Sequence, residues 1–146
     1  MKSVNEVETV FKSLAANESF ARTVAAAFAS QTDPVMSELA EFKTAVSEAV
    51  TNAAVHGYRD SVGNIVLKLK LYEGNVISAT VSDRGVGIED VKKAREPLFT
   101  TSESGEQAGM GFTVMESFCD GVKVRSKPGR GTTVVLTKKF RSKNGV

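Results

Sequence analysis

Ile65-Val-Leu-Lys-Leu-Lys-Leu71 commits this chain to a half-buried strand. Ile65, Leu67, Leu69 and Leu71 share one face, and Lys68 and Lys70 share the other. Glu73-Gly74-Asn75 supplies a turn and Val76 to Ser82 a returning strand, so the pair reads as an antiparallel hairpin. A second hairpin is predicted from Val122, Val124 and Thr133 to Thr137, around Pro128-Gly-Arg-Gly131. Hairpins separated by helices argue for an α+β fold: a two-layer α/β sandwich with a mixed, mostly antiparallel sheet covered on one face by helices.

The helices follow from periodicity and punctuation. Val7, Val10, Phe11 and Leu14 read as a first strand with imperfect alternation. Asn17 then reads as an N-cap, with Phe20, Val24, Ala27 and Phe28 as the apolar stripe. Asp33-Pro34 reads as a second helix start, cap and then proline at the first helical position. That helix should run to about Gly57 as its stop, burying Leu39, Phe42, Val46, Ala49, Val50 and Ala53. Ile88 to Arg95 is predicted as a short helix ended by Pro97, and a last helix from near Gly111 to about Asp120. Residues 98–108 show no periodicity, and loops of that length are usually functional or mobile.

At 146 residues the chain fits one domain, 1–146, with one core. No apolar run reaches the length of a membrane span, and the N-terminus lacks an apolar signal core, so neither membrane nor export is expected. A single cysteine, Cys119, makes no internal disulfide, which fits a reducing cytoplasm. One Cys and one His also exclude a structural zinc site. The net charge of +2 points to no nucleic-acid partner. Residues 121–146 hold eight Lys or Arg and no acid, which a solvated strand edge and tail explain.

Three motifs carry chemistry. In Glu48-Ala-Val-Thr-Asn52, Glu48 and Asn52 lie four apart and share a helix face, roughly opposite the Leu39–Val46–Ala53 stripe. Ser47, Thr51 and His56 extend that polar surface. A solvated helix face would look the same. The functional reading makes Glu48 an acceptor for a hydroxyl proton and the Asn52 amide oxygen a ligand for a hard cation. His56 suits a helix C-terminus or simple packing. Asp83-Arg-Gly85-Val-Gly87 places an acid before a glycine turn, either an ordinary turn or an acceptor for an exocyclic amine of a purine. Gly109-Met110-Gly111 meets the start of a helix, where free N–H groups attract phosphate. Gly129-Arg-Gly131-Thr132 reads as a hairpin turn, with Thr132 near the base in a nucleotide pocket. No P-loop, no eukaryotic-kinase signature and no dinucleotide fingerprint is present.

The three motifs in this order resemble the GHKL superfamily of ATP-binding domains (the Bergerat fold), which includes gyrase B, MutL and histidine-kinase catalytic domains. Asn17-Glu-Ser-Phe-Ala-Arg22, Ser47-Glu-Ala-Val-Thr-Asn52-Ala, His56-Gly-Tyr58 and Pro97-Leu-Phe-Thr-Thr101 narrow the likeness. They resemble the bacterial anti-sigma factor serine kinases, in particular those of sporulation, over about residues 5–139. The resemblance implies Glu48 as general base, Asn52 as magnesium ligand and Asp83 as adenine contact. It also implies that Gly85, Gly87, Gly109, Met110, Gly111 and Thr132 frame ATP, with Thr100 and Thr101 in a flexible lid at about 96–111. It further implies a homodimer that sequesters a sigma factor, docks partners through Arg22, and phosphorylates a serine on an anti-anti-sigma protein of the STAS type. One departure stands out. The sporulation proteins carry Arg-Ser before the Gly-Met-Gly, and this chain has Gln107-Ala108. A general-stress anti-sigma kinase, or an ATP-gated sigma-binding module without kinase activity, are the alternatives.

Overall fold

The computed structural model describes residues 2–96 and 108–142. β1 (Asn5–Lys12) leads into α1 (Ala16–Ala29) and then α2 (Met36–Asn52), which continues through a π-helical turn, Ala53–Gly57. β2 (Asn64–Tyr72) and β3 (Val76–Asp83) form the first hairpin. A one-turn α3 (Val91–Ala94), α4 (Ala108–Phe118) and the hairpin of β4 (Gly121–Lys127) and β5 (Gly131–Lys139) complete the order. The strands run β1-β2-β3-β5-β4, and every ladder is antiparallel. The expected α+β sandwich is therefore present, with a sheet that is antiparallel throughout rather than mixed.

The alternation read at Ile65–Leu71 sets the layers. Ile65, Leu67 and Leu69 are fully buried against the helices, and Lys68 points to the other face. β3 and β5 repeat the pattern with Ile77, Ala79 and Val81, then Val134 and Leu136. α2 lies between α1 and α4 on that face, and its predicted stripe is buried at Phe42, Val46, Ala49, Val50 and Ala53. Phe42 meets Phe140 edge to face, with ring centroids 5.3 Å apart.

Several local expectations are corrected. The inward face of α1 is Ala21, Ala25, Phe28 and Ala29, while Phe20 stands 46% exposed and stacks its edge on Phe11. Phe28 is buried as expected, and Ala21, Ala25 and Ala29 rather than Phe20 and Ala27 complete the face, because small residues let α1 approach α2 closely. Ala15 precedes this helix. Asn17 lies within its first turn, its side-chain amide donating to the Lys12 carbonyl.

Asp33-Pro34 does not start α2. Asp33 sits in the left-handed region at φ 51°, and Pro34 bridges Ser142 in extended backbone, so the helix begins at Met36. The C-terminal segment holds this entry: the Val35 N–H donates to the Arg141 carbonyl, and the Arg141 N–H to Glu38. α3 is shorter than expected and is capped by the Asp90 carboxylate. α4 starts at Ala108, three residues before the expected Gly111. Lys138 is an exception to the solvated basic end: it is buried, and its ammonium reaches Glu41 and the Phe118 carbonyl.

Candidate functional site

Glu48 and Asn52 do share a face of α2, but it is not a solvated one. Both are half-buried and turned toward α4. A methyl group added at Gly111 would lie 3.1 Å from Asn52 Nδ2 and 3.2 Å from Glu48 Oε2, so the missing side chain keeps these groups open. The Asn52 Nδ2 is buried with no hydrogen-bond partner among the described residues. An orphaned buried amide is costly in a finished core and ordinary in a site that awaits a polar ligand. Ser47, expected on the polar surface, is instead buried, and its hydroxyl donates to Glu18 Oε1 at 2.7 Å. Burial pushes the Glu48 carboxyl up from its ordinary value, and the charge of Glu18 adds to that rise.

Asp83 ends β3 and is buried. Its Oδ1 accepts from the Gly85 N–H at 2.8 Å. Burial pushes its carboxyl up, while the backbone N–H groups of Gly85 and Thr132 pull it down. Thr132 faces it across the β3–β5 ladder and shares a hydroxyl contact of 2.7 Å with Ser126. The Asp83–Gly87 turn is pressed between two pieces of backbone. A Cβ at Gly85 would lie 2.0 Å from the Gly57 carbonyl oxygen, and Gly87 has φ +76° against the Lys127 carbonyl. No other residue type fits either position without moving the chain.

A pocket runs from Asn52 on α2 to the Asp83–Gly87 turn. Its walls are apolar at Ala49, Ala53, Ile88 and Val134, and polar at Asn52, Asp83 and Thr132. An apolar slot with a few convergent polar groups suits a planar base carrying a polar tail. Gly109 and Met110 lie in the first turn of α4, whose leading N–H groups have no intrahelical acceptor. Thr100, Thr101 and Gln107 lie outside the described residues. Arg22 is exposed on α1. His56 lines the cavity rather than serving only as a helix end.

Two arginines near the Asp83 and lid segments, Arg84 and Arg95, do not line the pocket. Arg95 is bound to Glu116 and the Val122 carbonyl, and Arg84 faces a groove on the other side of the sheet. Sequence reasoning missed what Gly57 and Tyr58 do here. Gly57 has an ordinary φ, and the left-handed residue is Arg59 at φ 52°. Glycine is needed at 57 because a Cβ would come within 2.9 Å of Asp83 Oδ1. The signal was in the chain as His56-Gly-Tyr58, but its target lies 26 residues further on.

Residues 11–138 match the model of the histidine kinase-like ATPase domain. A protein of Thermoanaerobacter named anti-sigma F factor is 54% identical over 138 residues, covering 94% of this chain and 96% of that one. The anti-sigma F factor of Bacillus licheniformis is 52% identical over 135 residues, covering 92% of each. The solved RsbU and RsbW domains of a Mycobacterium tuberculosis protein superpose with TM-score 0.67 at 20% identity, over 94% of this chain and 33% of that one, a likeness of fold. The chain belongs to the histidine kinase-like ATPase family and, within it, to the family of the anti-sigma F factors.

Proposed function

We propose that this protein is an anti-sigma factor and an ATP-dependent protein-serine kinase of the bacterial cytoplasm. In this reading it sequesters a sporulation sigma factor and phosphorylates an anti-anti-sigma protein of the STAS type. The observation that carries the reading is the convergence of Glu48 and Asn52 on the open side of Gly111, with Asn52 and Asp83 lining one pocket. The likeness to anti-sigma F factors supports the choice of partner.

The base of ATP occupies the apolar slot. The Asp83 carboxylate accepts from the Gly85 and Thr132 backbone and, with four lone-pair sites, has capacity left for the exocyclic amine that adenine has and guanine lacks at that position. The phosphates extend toward the first turn of α4, and the segment of about 96–111 acts as the lid. The Asn52 Oδ1 at the Gly111 cradle would supply an oxygen ligand to magnesium, and its orphaned Nδ2 donor suits a phosphate oxygen. Magnesium, when bound, neutralises charge on the transferred phosphoryl group. Glu48 takes the proton of the incoming serine hydroxyl as its oxygen bonds to phosphorus and the bond to the ADP oxygen breaks. Burial and Glu18 raise the basicity of Glu48 toward that task. Arg22, exposed on α1, serves partner docking in a homodimer.

Transfer of radiolabelled phosphate from ATP to the cognate antagonist tests the kinase. Glu48→Gln should retain ATP binding and lose roughly 10²- to 10⁴-fold in transfer. Undiminished transfer would remove Glu48 from the role. Arg22→Ala should weaken capture of the sigma factor with ATP affinity intact, and capture at wild-type strength would refute it. The same transfer assay decides for a sigma-binding module without kinase activity. That reading is favoured by Gln107 standing where the family has arginine, with Arg84 and Arg95 both placed away from the cavity.

A further inference from the structure

The turn that presents Asp83 is suspended by three consecutive backbone N–H groups, each with its own acceptor. The Gly85 N–H goes to Asp83 itself, and the Val86 N–H to the Gly57 carbonyl at 2.8 Å. The Arg84 N–H goes to the Tyr58 hydroxyl oxygen at 2.9 Å. Two of these acceptors, Gly57 and Tyr58, come from the end of α2. The π-helical turn brings them there: the Tyr58 N–H bonds to the Ala53 carbonyl, five residues back. The widened turn aims Gly57 and Tyr58 at β3.

Tyr58 is itself fixed at the far end. Its hydroxyl donates to the Asn64 carbonyl at the start of β2. Its ring packs on Gly63 so closely that a Cβ there would lie 2.2 Å from Cε1. One hydroxyl therefore donates to the frame of the sheet and accepts from the residue after Asp83. Among the described contacts, Tyr58 is the only side chain from outside the Asp83–Gly87 turn that accepts from the N–H groups of residues 84–86.

We propose that Tyr58 is a positioning residue for base selection: its hydroxyl holds the Arg84 amide, and through it the angle at which Asp83 meets the exocyclic amine of the nucleotide. This rests on the reading of Asp83 as the adenine contact. A carboxylate free to swing would still bind a purine by apolar burial. It would discriminate less between adenine, which donates there, and guanine, which accepts.

The test is binding of ATP and of GTP, each with magnesium, to the wild-type chain, Tyr58→Phe and Gly63→Ala. Tyr58→Phe keeps the ring on Gly63 and removes only the hydroxyl. Gly63→Ala leaves the hydroxyl intact and displaces the ring. Both should bind ATP about 3- to 10-fold more weakly, the range of one net hydrogen bond. GTP affinity should stay put, so the ATP preference narrows by the same factor. Amide exchange at Arg84 should quicken in both. An unchanged ATP preference in folded Tyr58→Phe would overturn the proposal, as would equal weakening of both nucleotides, the mark of a merely structural role. Failure of the adenine reading is separable: the wild-type chain would then show no preference for ATP before Tyr58 is altered.

Discussion

Glu48 is a position where burial of a carboxyl costs stability, which the proposed general-base role would explain. Its carboxyl is half-buried beside Glu18, and its native-state pKa lies above the ordinary value. The native state therefore holds this proton more tightly than the unfolded chain. Stability falls as pH rises from the ordinary carboxylate value through the raised native one. Glu48→Gln should melt at a higher temperature than wild type at neutral pH. The gain should vanish below the ordinary carboxylate range, where both forms are uncharged. Thermal melts of the unliganded protein across pH 3 to 8 check the sign, and a gain that persists at low pH would point to packing instead. Asp83 carries the same sign for burial, but its backbone donors oppose it, so Asp83→Asn should cost ATP affinity without a comparable gain in stability.

At the scale of elements, α4 and the end of α2 are built around missing side chains. Gly111 sits inside α4, where alanine is ordinarily favoured by about 1 kcal/mol. Its cost is accepted because a Cβ would occupy the space between Asn52 and Glu48. Gly111→Ala should therefore leave thermal stability close to wild type while abolishing magnesium-dependent ATP binding, as calorimetric titration would show. Retained binding would mean that the phosphates take another path. Gly85→Ala is a different case. Its Cβ would strike the Gly57 carbonyl, which is backbone and cannot rotate away, so loss of the whole base pocket and of stability is expected.

Across the whole molecule, ligand binding and folding are coupled because the cavity lies between the helical layer and the sheet. α2 contributes Asn52 to its walls, β3 Asp83, and β5 Thr132 and Val134. ATP with magnesium at about 100-fold its Kd should stabilise the protein by about 2.7 kcal/mol. For a chain of this size that is a rise in Tm of roughly 5–10 °C. Glu48→Gln should keep the rise and Gly111→Ala should lose it, which separates binding from transfer in one measurement. The C-terminal segment belongs to this scale too. It closes the entry to α2 through Arg141 and Glu38, more than 100 residues apart in sequence.

The sequence alone determined the layers and which polar groups share a face of α2. Alternation at Ile65–Leu71 fixed which face of the sheet is buried, because a strand has only two faces. The spacing of Glu48 and Asn52 fixed that they share one face of α2, because a helix has one turn per 3.6 residues. What the tertiary structure alone decided was where those groups meet the rest of the chain. The inward face of α1 was read in part, at Phe28, because close helix packing favours alanine at its other positions and no periodicity of large residues reports that. Asp33-Pro34 was misread because its partner is Ser142, at the other end of the chain. Gly57 was read as a helix stop, and Tyr58 entered only as part of the family-like His56-Gly-Tyr58 segment. Their purpose is set by contact with Asp83 and Arg84, and such contacts depend on how α2 unwinds against β3, which local sequence does not encode.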